Sequence, residues 1–226
     1  QLQPDQTGLT ELYVKEALDF MFENRNKPFF MYFAHMYVHL PIYVQKHFLK
    51  KSTNGTYGAA IASIDWVTEV ILKKLKSLGI DENTMVIFTS DNGSRVRGEG
   101  GSNAPLRGTK GTTWEGGMRV PCIMRWPGRI VEGTTCTQIA TSMDLYPTLS
   151  NLGGANLPSD RKIDGVDLSS IIFDDDIDQT VRNDFFYYNG NYLAAVRSGN
   201  WKLHVLKPDT KEMNIRELYD LESDVS

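Results

Sequence analysis

The chain has 226 residues, enough for one domain or one with a small appendage, and folded alone it would bury roughly 70% of its unfolded surface. With 41% hydrophobic and 23% charged residues it has an ordinary globular composition. A net charge of -4 argues against a basic nucleic-acid surface, and no apolar run approaches the roughly 18 residues of a membrane span. The chain opens Gln-Leu-Gln, without an initiator methionine or a leader, and so reads as a processed or excised piece. Cys122 and Cys136 are too few for a disulfide scaffold; two buried thiols are the simpler expectation, and one bridge between them is the alternative.

Residues Thr10 to Asn24 carry Leu12, Ala17, Leu18, Met21 and Phe22 near helical spacing, with Thr10 as the expected N-cap. Phe29 to Ala34 is a continuous apolar run, which predicts a strand covered on both faces. It leads to His39-Leu40-Pro41, where the proline turns Leu40 away from helix and places His39 in a loop. Asn54-Gly55-Thr56 marks a turn and is a formal glycosylation sequon, relevant only in a eukaryotic secretory protein. From Tyr57 to Leu78 the pattern of Ala60, Ile61, Ile64, Val67, Ile71, Leu72, Leu75 and Leu78 predicts a long helix, with lysines near its end and Gly79 as its stop.

Met85 to Thr89 predicts a buried strand that ends on Ser90-Asp91-Asn92-Gly93. In open α/β sheets, ligands collect where strands end. A glycine-rich loop then delivers Lys110 between Gly108 and Gly111. Met118 to Trp126 predicts another strand, and Met143 to Leu152 a short helix that stops at Gly153-Gly154. Strand, helix and strand alternate, which is α/β logic. Beyond an acidic stretch containing Asp174-Asp175-Asp176, read as a solvated loop, the runs 185–188, 193–197 and 201–205 predict an antiparallel meander.

The oxygens of Asp91 and Asn92 suit a hard divalent cation better than zinc, which would call for cysteine or paired histidines. Read alone, Asp-Asn-Gly is also an ordinary tight turn, and Lys110 an ordinary loop lysine. The Gly108-Thr109-Lys110-Gly111-Thr112 segment lacks the Gly-Lys order of a phosphate loop. Ser90-Asp91-Asn92 lacks the partner motifs of a β-lactamase.

Three motifs in order, FFMYFAHMYVHLPI, TSDNG and LRGTKGTTWEGGMRVP, resemble the sulfatase family of the arylsulfatase and N-acetylhexosamine-6-sulfatase type, over its C-terminal portion only. The resemblance implies an alkaline-phosphatase-like α/β fold, helices sandwiching a mixed sheet that is here partial, followed by a small C-terminal antiparallel β subdomain. Residues 1–154 would belong to the catalytic domain and 155–226 to the subdomain. It implies that Asp91 and Asn92 bind calcium (Ca2+), with the other ligands upstream. Lys110 would contact the substrate sulfate, and His39 the sulfate or the leaving oxygen. His35 could line the same pocket, while His47 and His204 read as surface or packing residues. Gly116 and Gly117 would allow tight backbone packing, and Arg119 reads as structural.

The family's nucleophile is a formylglycine made within C/S-x-P-x-R, and neither Cys122 nor Cys136 stands in such a motif. The formylglycine is therefore expected upstream, and this piece alone is expected to be inactive. The expected substrate is a sulfated sugar or an aryl sulfate, and the expected partner is the N-terminal portion or a second copy. By the same resemblance the compartment is secreted, periplasmic or lysosomal. The rival readings are a phosphatase, phosphodiesterase or phosphotransferase of the alkaline-phosphatase-like group, disfavoured by Asn92 where those enzymes place histidine, and a non-catalytic module that binds sulfated glycans.

Overall fold

A computed structural model describes residues 5–173, 180–205 and 215–225; the acidic run Asp174-Asp175-Asp176 lies outside the described residues. The chain divides into two compact units. One comprises Gln1–Val86, Val96–Ser102 and Arg125–Pro127, and the other Ile87–Arg95, Asn103–Met124 and Gly128–Ser226. Among the described residues no helix is long and apolar enough to cross a membrane.

The first unit is built on helices. Helix α1 (Leu9–Asn24) and short α2 (Lys46–Lys51) both pack on α3 (Gly55–Ser77). Val14, Ala17 and Met21 of α1 and Ala59, Ala60, Val67 and Leu75 of α3 form the core. The alanines let the helices approach closely, while Met21 and Leu75 each contribute about 1.5–3 kcal/mol by burial. Lys74 and Lys76 close α3 against its dipole, and Gly79 at φ 69° ends it as the sequence predicts.

Three expectations for this unit are corrected. Helix α1 starts at Leu9 after Gly8, so Thr10 is not its N-cap but a buried residue of its first turn. The buried stripe runs through Val14 rather than Leu12 and Phe22, each 49% exposed, because the face that meets α3 is rotated from the one read off the sequence. Residues 29–34 form no strand, for they pair with no ladder among the described residues. They still alternate as a strand does, with Phe30 and Tyr32 71% and 82% exposed. Met31 and Phe33 face a groove of about 560 Å³ shared with Tyr13, Ala17 and Phe20 of α1. Lower in the unit, Arg125 grips Asp81 in a two-pronged ion pair at 2.7 and 2.8 Å.

Strands β1 (Val86–Thr89) and β2 (Cys122–Arg125) pair in a two-stranded sheet. Strand β1 is only partly covered, with Phe88 36% exposed, against the expectation of a buried strand; β2 is its sole ladder partner among the described residues. The strand expected from Met118 instead begins at Cys122, because Met118 closes the one-turn helix α4 (Glu115–Met118) and Pro121 lacks a ladder donor. Cys122 and Cys136 are both free and exposed, not buried thiols and not bridged.

In the second unit, α5 (Leu145–Leu152) is entered through a capping box in which Asp144 accepts from both the amide and the hydroxyl of Thr141. Asp144 is fully buried and also takes Arg182 at 2.5 Å and the Val166 amide, which fixes the chain ahead of α6 (Ser169–Phe173). The expected meander is present, with one strand more than the sequence predicts. β3 (Asp184–Asn189), β4 (Tyr192–Ser198), β5 (Trp201–Val205) and β6 (Ile215–Asp220) pair in sequence order, antiparallel throughout. Tyr187, Ala195, Lys202 and His204 share the buried face, and Phe186, Tyr188, Trp201 and Leu218 the exposed one.

Candidate functional site

Strand β1 ends at Thr89, and the chain bends through Asp91 and Asn92. Ser90 stabilises the bend by donating its hydroxyl to the Asn92 carbonyl at 3.1 Å. The two side chains lie together: Asn92 Nδ2 donates to Asp91 Oδ2 at 2.5 Å. Asp91 is exposed, and no cation pairs with its carboxylate among the described residues. Half a turn of the Asn92 amide would offer Oδ1 beside that carboxylate, a donor pair suited to a hard cation. The pair is only part of a site. Among the described residues no group of three or more His, Cys, Asp or Glu could hold a metal.

The lysine loop is fastened to this turn through the backbone. The Lys110 amide donates to the Ser94 carbonyl at 3.0 Å, and the Gly93 amide donates to the Gly117 carbonyl at 3.1 Å. These bonds require glycine where the chains meet, since a Cβ on Gly93 would lie 1.8 Å from the Gly116 carbonyl oxygen. Gly116 and Gly117 are equally close-packed against the loop's own carbonyls, as the sequence suggests. The half-buried Lys110 has no hydrogen-bond or ion-pair partner for its ammonium among the described residues.

Asn103, which carries no signal in the sequence, holds both segments. Its Oδ1 accepts from the Ser94 amide at 2.8 Å, while Nδ2 donates to the carbonyls of Ser94 at 2.8 Å and Gly108 at 3.0 Å. Nothing in Gly-Gly-Ser-Asn-Ala separates such a residue from an ordinary loop asparagine.

His39 belongs to the first unit, in an exposed turn as expected. Its Nδ1 lies 2.7 Å from the Leu40 carbonyl oxygen, which only accepts, so Nδ1 carries the proton, and Nε2 makes no hydrogen bond among the described residues. His35 is occupied at both nitrogens: Nδ1 accepts from the Tyr37 amide at 3.0 Å, and Nε2 lies 3.4 Å from the Thr10 hydroxyl. Burial pushes its pKa down. His204 is buried and stacks on Trp114 at 3.7 Å, a packing residue, and exposed His47 rests on Phe48.

Residues 2–155 match the sulfatase family, and residues 109–226 match the C-terminal region of N-sulphoglucosamine sulphohydrolase. The chain belongs to the sulfatase family. N-acetylgalactosamine-6-sulfatase of Rattus norvegicus is 44% identical over 209 residues, which take in 90% of this chain and 39% of that protein. Steryl-sulfatase of Rattus norvegicus is 40% identical, across 90% of this chain and 36% of that one. The sulfatase PsFucS1 from Pseudoalteromonas sp. superimposes with a TM-score of 0.84 at 27% identity, covering 96% of this chain and 47% of its own. This sulfatase chain thus spans about two fifths of the length of the curated relatives it matches. Its fold is the α/β, alkaline-phosphatase-like one of these neighbours, in part, followed by the antiparallel sheet β3–β6.

Proposed function

We propose that the protein to which this chain belongs is a sulfuric ester hydrolase that cleaves sulfate monoesters of sugars, with aryl sulfates as simpler substrates. The observation that carries this reading is the bond from Lys110 to Ser94, which ties a loop whose ammonium has no partner among the described residues to a turn whose carboxylate meets no cation among them. An ammonium so placed would hold the sulfate and stabilise charge that builds on the sulfuryl group as the ester breaks. His39 would act as general acid: starting as imidazolium, it gives the Nε2 proton to the departing alcohol oxygen and returns to the tautomer its Leu40 contact favours.

A calcium ion would bind the oxygens of Asp91 and Asn92 and supply an electrophilic grip on the sulfate. Calcium takes 6–8 oxygens, so most of its shell would come from residues outside this chain. The formylglycine nucleophile is assigned outside this chain as well, since neither cysteine here stands in the required motif. We also keep the division into a catalytic part, 1–154, and a subdomain, 155–226, supported by a four-stranded sheet that lies wholly after residue 183. The rest of the catalytic domain is the partner we assign to the open face at Phe30 and Tyr32, and a secreted, periplasmic or lysosomal setting accords with the family.

Sulfated hexosamines are the substrates to try, given the N-acetylgalactosamine-6-sulfatase relatives. The complete protein should release sulfate from N-acetylgalactosamine 6-sulfate far faster than phosphate from the 6-phosphate. Preference for the phosphate would replace this reading with the phosphatase one. In the same assay His39→Ala should lower kcat about 10²–10⁴-fold, with the smallest loss on substrates whose alcohol leaves readily. An equal loss on good and poor leaving groups would remove the proton-donor role.

A further inference from the structure

The second unit contains a buried ion pair that the proposed chemistry does not use. Lys202, on β5, is 1% exposed, and its Nζ donates to Glu115 Oε1 and to the Thr113 carbonyl, both at 2.7 Å. The same ammonium sits 3.9 Å from the centre of the Tyr187 ring, on β3, and Arg197 of β4 reaches the other Glu115 oxygen at 3.9 Å. Glu115 is itself 4% exposed. Two strands of the C-terminal sheet, β4 and β5, therefore converge on the residue that opens α4, and β3 backs the ammonium through Tyr187.

The backbone next to Glu115 gives the pair its meaning. The adjacent residue, Gly116, donates its amide to the Arg107 carbonyl at 2.7 Å, holding the lysine loop at its base. Gly117 accepts from Gly93, which directly succeeds Asn92, and Ser94 then accepts from Lys110. The chain of contacts closes from Lys202 through Glu115 and the two glycines to both the Asp91–Asn92 turn and Lys110. It has no slack: a Cβ on Gly116 would lie 2.4 Å from the Gly108 carbonyl oxygen, and one on Gly117 2.3 Å from that of Thr112. A displacement of Glu115 must move the loop with it.

Stability alone does not account for charges in this place. Removing two charges from water costs about as much as their attraction returns, and apolar replacements of buried pairs are often neutral or better. What an ion pair supplies and an apolar contact does not is direction. Two short hydrogen bonds and a ring face define one position for the ammonium, and so one position for the carboxylate.

We infer that Lys202, acting through Glu115, is a positioning residue for the sulfate-binding loop, so that the C-terminal sheet sets the place of Lys110. The inference rests on the proposed role of Lys110 in holding the sulfate. Its test is the double variant Glu115→Gln with Lys202→Met in the complete protein, which removes both charges and leaves neither buried alone. With melting temperature retained, kcat for a sulfate ester should fall about 10–100-fold, the usual result of a displacement near 1 Å. Adding Lys110→Ala to the double variant should cost no more than about twofold beyond Lys110→Ala alone, because coupled residues are not additive. Wild-type kcat in the double variant, independent multiplication of the two losses, or a loss that only tracks the unfolded fraction would each overturn it. Lys110→Ala alone separates the two readings. Full activity there removes the sulfate-site reading and this inference with it, whereas an inactive Lys110→Ala beside a fully active double variant removes this inference alone.

Discussion

Asn103 holds Ser94 from both sides, accepting from its amide and donating to its carbonyl, each at 2.8 Å. The same Ser94 carbonyl receives the Lys110 amide, so one asparagine sets where the lysine loop meets the Asp91–Asn92 turn. Asn103→Ala should cost only about 1–3 kcal/mol of stability, the worth of a few partly buried hydrogen bonds. It should cost more in turnover, on the order of tenfold or above in kcat/KM, because the loop loses its register. Asn103→Asp should be worse than alanine, since a carboxylate would face the carbonyls of Ser94 and Gly108. Thermal melts and steady-state kinetics on the complete protein check both, and an aspartate variant as active as wild type would contradict the clamp.

Gly93 is a second site where a small change should have a large effect. Any side chain there meets the Gly116 carbonyl oxygen at 1.8 Å, and that oxygen is backbone of a residue whose amide is itself bonded to the Arg107 carbonyl. Gly93→Ala should therefore destabilise by about 3 kcal/mol or more, or prevent folding. Gly111, at φ 86° with open space where a Cβ would stand, should tolerate alanine at the smaller cost of a strained backbone. Denaturant midpoints of the two variants settle the order.

The Asp81–Arg125 pair gives the first unit an acid-sensitive fastening. Arg125's hydrogen bonds, opposed by desolvation and aided by its charge, hold the Asp81 carboxyl below its ordinary 3.8. A depressed folded-state pKa means the unfolded chain binds the proton more readily. The pair's contribution is thus complete above the ordinary value and is lost as pH falls through the folded one. Asp81→Asn should flatten stability against pH in that acid window and leave the slope near neutrality unchanged. An identical acid slope in both proteins would show that the pair is not linked to folding.

The metal assignment can be tested without turnover. Asp91→Ala in the complete protein should weaken calcium binding at least about tenfold by titration calorimetry, because it removes the one charged oxygen donor of the pair. Asn92→Ala should weaken it less, as it removes a neutral carbonyl. Unchanged affinity in Asp91→Ala would displace the metal from this turn.

How legible the molecule was in its sequence depended on the range of the interactions. Helix α3 could be read because its apolar positions repeat at helical spacing and Gly79 stops it. The hairpins of β3–β5 could be read because Gly190 and Gly199 stand at their turns with positive φ. Residues 29–34 show the limit. The continuous apolar run read as a strand covered on both faces, yet one face is exposed at Phe30 and Tyr32; a strand also needs a neighbour, and no local signal says whether one is within the chain. Strand β6 was missed because its pairing with β5 is non-local and its residues alternate less clearly. For the candidate site, motif singled out Asp91, Asn92, Lys110 and the tight glycines, and the backbone bonds of Lys110 and Gly93 bring these two segments together. Asn103 and Lys202 were not singled out, because what sets them apart is their contacts with segments distant in sequence and not their own surroundings.

The most direct measurement is sulfate release from N-acetylgalactosamine 6-sulfate by the complete protein, wild type against Lys110→Ala. Loss of a cation aimed at developing charge should lower kcat about 10²–10³-fold, with the melting temperature unchanged. A variant that turns over at the wild-type rate would contradict the placement of the sulfate at Lys110.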